Sequence, residues 1–161
     1  MSPSTSTNFQ NTIAHAQFKS DGGTISWNLQ TLSSTFPFST LVVHSKDILT
    51  PKVEFGAKIT QAGTYFVDFS FIAEDGDFQQ YKLFLLVNNT PYYTKADGGV
   101  VIRFFQQSTS QQYEVSLSAL VKVSFGDIIT FGLKTNAVPV LPLKTHSIKM
   151  NLNNLQQLGI H

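Results

Sequence analysis

The sequence predicts an all-β fold, an antiparallel two-sheet sandwich or jelly roll, on three observations. Apolar and polar residues alternate with period two in several stretches, as strands that bury one face do. No segment shows the sustained 3.6-residue periodicity of a helix. Clusters of Gly, Asn and Asp recur between the alternating runs, and many short strands at this spacing suit a sandwich or jelly roll.

Residues 1–12, MSPSTSTNFQNT, are small and polar and read as a flexible lead-in; residues 13–161 then form one jelly-roll domain. Short strands are expected at AQFKS, 16–20, and TISWNL, 24–29. Residues 31–51 read as a long, partly ordered connection broken by Pro37 and Pro51. In KVEFGAKI, 52–59, Val53, Phe55, Ala57 and Ile59 alternate with Lys52, Glu54, Gly56 and Lys58, a strand with one buried face. A turn at Gln61, Ala62 and Gly63 leads into Tyr65, Val67, Phe69 and Phe71 on every second position, and these two strands are expected to pair or lie close. Phe66 and Ile72 then fall on the opposite, nominally wet face.

EDGD, 74–77, reads as a turn before the strand FQQYKLFLLV, which is apolar on both faces and ends in the turn-forming VNNTP, 87–91. Asp97, Gly98 and Gly99 turn the chain into VVIRFF, 100–105. The longest alternation follows: Tyr113, Val115, Leu117, Ala119, Val121 and Val123 share one face, and Glu114, Ser116, Ser118 and Lys122 share the other, joined by Leu120. Gly126 and Asp127 make a corner into IITFGL, 128–133, and SIKMNLNNL, 147–155, closes the chain.

The 161 residues suit a single domain able to remove roughly 70% of its unfolded surface from water. With 42% apolar and 13% charged residues, 14 Phe and 5 Tyr, the chain is too apolar for disorder. Its 11 basic and 10 acidic residues nearly cancel and are scattered, so no basic stripe tracks a nucleic-acid backbone. There is no cysteine, hence no disulfide, thiolate nucleophile or thiolate metal ligand. The start of the chain lacks the charged and apolar regions of a secretory signal, and no run approaches the ~18 apolar residues of a membrane-spanning helix.

AGTYFVDFSF, the long strand ending in VSFGDIITFGL, and the closing SIKMNL together resemble the tumour necrosis factor and complement 1q-like jelly-roll superfamily. In that superfamily a glycine opens an aromatic strand with a tyrosine two positions on, matched by Gly63 and Tyr65. A Gly-Asp corner sits between two late strands, matched by Gly126 and Asp127, and a serine-led strand closes the sheet. The resemblance spans residues 16–156 and implies a compact homotrimer packed through one sheet of each subunit. On that reading Tyr65, Val67, Phe69, Leu117 and Val121 fill the subunit core, while Phe66, Ser116, Ser118 and Leu120 meet neighbouring subunits. The chain departs from the vertebrate signalling members in having no transmembrane stalk, no Gly-X-Y run and no cysteine. Spore-surface and viral or phage fibre proteins share the domain shape, and they fit this chain better.

Little marks catalysis. His15, His44, His146 and His161 are far apart, and no HxH or HExxH pattern occurs, so no metal centre is expected. Glu74, Asp75 and Asp77 offer oxygens of the kind calcium takes in some complement 1q-like loops, but read more simply as a solvated turn. No GxSxG elbow is present. Asn88 of NNT matches a glycosylation acceptor yet sits in a turn; the Gln-Gln pairs at 79, 106, 111 and 156 read as uncharged surface, and Trp27 as a core or interface residue. The expectation is a non-enzymatic homotrimeric module for binding or surface display, without a cofactor, engaging a protein receptor or glycan outside the cell or on a virion or spore. A soluble receptor-binding ligand, and a carbohydrate-active or metal-dependent enzyme on a sandwich, are the alternatives.

Overall fold

A computed structural model describes residues 15–36, 40–44, 49–50, 56–75, 79–94, 99–107, 112–137 and 143–155, with side chains not described at 40–44, 49–50, 75, 79, 107 and 113. The expectations for residues 1–12, for 52–55, and for Asp77 and His161 lie outside these residues, as do the side chains of His44, Asp75 and Tyr113. The described chain has no α-helix and builds two antiparallel sheets.

Sheet A runs in the order β10 (Gln112–Val123), β6 (Gly63–Asp75), β12 (Leu143–Asn154), β1 (His15–Thr24) and β3 (Thr40–His44). Sheet B runs β4 (Leu49–Thr50), β5 (Ala57–Ile59), β11 (Ile128–Thr135), β7 (Gln79–Val87) and β8 (Thr90–Pro91), with β2 (Ser33–Thr35) also on β11 and β9 (Ile102–Gln107) on β7. This is the two-sheet sandwich that the alternation predicts and the jelly roll that the resemblance implies.

Tyr65, Val67, Phe69 and Phe71 of β6 and Val115 and Val121 of β10 are fully buried against Tyr81, Leu83 and Leu85 of β7 and Phe131 of β11. Leu117 is partly buried and packs on this core, since β10 is the edge strand of its sheet. Phe69 stacks on Phe131 across the two sheets, ring centroids 4.1 Å apart and planes 8° apart. Trp27 is half-buried over the core and stacks on Tyr81 at 5.9 Å.

Several expected elements are corrected. TISWNL is not a strand: Thr24 ends β1, and Asn28 Oδ1 accepts hydrogen bonds from the backbone N–H of Gln30 and Thr31, turning the chain back into β2. Residues 31–51 are not simply a connection, because β2, β3 and β4 are held there by pairing with β11, β1 and β5. β5 does not pair with β6. It belongs to sheet B, and Gln61–Gly63 carries the chain between sheets.

Glu74 and Asp75 belong to a strand and not a turn, since β6 is paired through them to β10 and β12. β12 begins at Leu143 and not at Ser147. A bulge at Ser147, φ +54°, flips the burial parity from Leu143 and Thr145 to Ile148, Met150 and Leu152, which hides the first half of the strand from a period-two reading.

Two turns are tied to one another. Asn88 and Asn89 take left-handed φ of +55° and +64° between β7 and β8, the geometry of a tight hairpin. Asn88 Nδ2 donates to Asp127 Oδ1 (3.0 Å), and Asn88 Oδ1 accepts from the N–H of Ile128 (2.9 Å). Asp127 Oδ2 accepts from the N–H of Ser124 (2.8 Å), closing the corner at Gly126, φ +90°. The amide of the glycosylation-like NNT is thus used in the fold.

Candidate functional site: the outer face of sheet A

Every second residue of β10, β6, β12 and β1 points away from the core, and the register sets these outward residues in rows. One row is Leu120, Phe66, Asn153 and His15; the next is Ser118, Asp68, Asn151 and Gln17; a third is Ser116, Ser70, Lys149 and Lys19. A fourth sets Glu114, Ile72 and His146 side by side.

Phe66 and Leu120 are direct cross-strand partners, and both stand in water, 39% and 58% exposed. Both outward positions follow from the alternation that buries Tyr65, Val67 and Val121. Ser118 and Ser116, expected beside them, lie on the same face: Ser118 Oγ donates to Asp68 Oδ1 at 2.7 Å, and Ser116 stands opposite Ser70. Gln17 Nε2 donates to Asn151 Oδ1 at 2.8 Å, so the middle of the face is a hydrogen-bonded polar layer around the Asp68 carboxylate.

Glu74, Gln112 and His146 form a cluster that sequence reasoning missed. Gln112 Nε2 donates to Glu74 Oε2 at 2.8 Å and lies 3.2 Å from His146 Nε2, which is itself 3.6 Å from Glu74 Oε2. Three strands distant in sequence supply it, and no local motif announces that. Glu74 therefore spends its carboxylate on a glutamine and a histidine. Among the described residues no three His, Cys, Asp or Glu side chains gather as metal ligands would. Among them, too, no helix is long and apolar enough to cross a membrane.

No family model matches the chain, and no curated protein is similar to it in sequence. Solved structures are similar in shape. The crystal structure of murine APRIL at pH 5.0 superposes with a TM-score of 0.57 at 10% identity, covering 88% of this chain and 99% of that one. The globular domain of zebrafish complement 1qA protein gives 0.56 at 13%, covering 87% and 94%, and Eiger TNF from S. frugiperda gives 0.54 at 15%, covering 89% and 92%. With two antiparallel sheets in this order and likenesses that cover 87–89% of the chain, the protein has a jelly-roll fold of the kind seen in tumour necrosis factor and complement 1q-like proteins.

Proposed function

We propose that the protein is a non-enzymatic homotrimeric jelly-roll module for binding or surface display, such as a viral, phage or spore surface component that engages a receptor or glycan outside the cell. The observation that carries this reading is the exposed pair Phe66 and Leu120 on the outer face of sheet A. Two large apolar side chains at paired positions of adjacent strands are a surface that water penalises, at about 25 cal/mol per Å². A second and third copy of the chain would cover them, with the small Ser116 and Ser70 allowing close approach. Lys19 and Lys149 stand opposite one another toward the β1 side of the same face, where like charges disfavour a contact between copies. The apolar corner is thus the side turned to the axis.

Light scattering coupled to size exclusion tests the reading. A mass of three 17.8 kDa subunits that persists on dilution is expected. Phe66→Asp should leave a folded single subunit, with an unchanged far-UV spectrum. A native protein of one subunit overturns the trimer, and a Phe66→Asp variant of unchanged mass removes Phe66 from the interface.

A further inference from the structure

β3 accompanies β1 only as far as Lys19, so the remainder of β1 runs on beside no outer strand among the described residues. There the sandwich opens into a cleft of about 830 Å³ between Gly22–Ser26 at the end of β1, Ser33–Phe36 in and after β2, and the Asn88–Asn89 turn. That volume lies in the range of small-molecule sites.

We propose that this cleft binds a neutral, hydroxyl-rich ligand of the saccharide class. Among the described residues no ionisable side chain lines it, so a charged ligand would leave water without a compensating charge from them, at a cost that a neutral one avoids. The polar side chains that these residues supply are hydroxyls and amides. Thr24, Ser26 and Ser34 can each donate and accept, as can the amide of Asn89, which matches the mixed donor and acceptor character of sugar hydroxyls. Ile25, half-buried, adds an apolar surface backed by the buried Phe36 and Ile148, which suits the C–H face of a pyranose ring.

The local sequence explains why the cleft stays open. Gly22 takes φ +84° and packs so closely on the backbone of Thr145 that a Cβ would lie 2.1 Å from its carbonyl oxygen, while Gly23 faces open space. The strand therefore reaches the cleft with two residues that put no side chain into it.

The assignment rests on the binding-module reading for its biological sense, although its geometry lies within one subunit. The test is the intact chain on an array carrying both neutral and acidic glycans, with the light-scattering mass read in parallel. Retention of neutral glycans is expected, falling about tenfold or more in Ser34→Trp, which fills the cleft. Ser26→Trp, in an exposed irregular segment, serves the same purpose if the β2 variant does not fold. No retention, retention of acidic glycans alone, or retention unchanged in a folded variant overturns the proposal. A single-subunit protein that still retains neutral glycans refutes the trimer and keeps the cleft; a trimer that retains none does the reverse.

Discussion

Replacing Phe69 by alanine should remove much of what joins the two sheets. The ring is fully buried, stacks on Phe131 of the opposite sheet at 4.1 Å, meets Phe36 edge-on at 5.0 Å and lies 5.7 Å from Phe71. Truncating a buried Phe to Ala costs about 3–5 kcal/mol through lost transfer energy and the cavity left behind. Aromatic pairs add about 0.5–1.5 kcal/mol beyond their area. With three rings around it and both sheets held apart by well-packed neighbours, Phe69 belongs near the upper end, about 4–5 kcal/mol. Against a total stability of about 5–15 kcal/mol, that brings the domain close to unfolding. The melting temperature should fall by roughly 8–20 °C. Urea titration at one fixed protein concentration, followed by far-UV circular dichroism and by the fluorescence of Trp27, measures the loss, and Phe69→Leu should recover part of it. A loss below about 1.5 kcal/mol would refute the inward register of β6 on which the face assignments rest.

Asn88→Ala should cost about 1–3 kcal/mol, because it strands the N–H of Ile128 and leaves a Cβ residue at φ +55° without its side-chain bonds; a melting temperature equal to that of the native protein would contradict the tie between the two turns. Gly56→Ala should cost at least about 1 kcal/mol more than Gly126→Ala, since its Cβ would lie 2.6 Å from the carbonyl oxygen of Ile129 while that of Gly126 meets nothing within 4 Å. Parallel urea titrations check this, and equal losses would count against the close approach of Gly56 to β11. Burial raises the Tyr65 phenol above its ordinary 10.0, with a hydrogen bond from Asn154 opposing the shift. The unfolded chain therefore releases that proton first, so stability present below pH 10 is lost as the pH rises above it. Tyr65→Phe should flatten this alkaline loss, and an unchanged slope would exclude Tyr65 as its source.

The long strands were legible where each strand buries one face and wets the other. β6 and β10 show it, and their alternation also exposes Phe66 and Leu120 as apolar residues on the wrong side. The short strands β2, β3 and β4 were not legible, because they are made by the neighbours they pair with and carry no pattern of their own. β12 was half legible, the bulge at Ser147 having reversed its parity. The cluster of Glu74, Gln112 and His146 and the cleft beside β1 depend on which strands become neighbours, and local pattern does not carry that information.

β12 occupies the middle of sheet A, hydrogen-bonded to β6 on one side and to β1 on the other. A ribosome makes it after the other described strands, yet it is the piece that joins β1 to β6: Gln17 and Asn151, which bond across the β1–β12 pair, are 134 residues apart. Loop closure on that scale places such topologies among slow folders, in about milliseconds to seconds. Until β12 arrives, β1 and β6 each present a bare edge, the kind of surface that recruits strands from other chains. Synthesis and folding are therefore uncoupled for this sheet, and crowding of nascent chains, more than the stability of the finished domain, should govern how much of the protein is recovered in soluble form.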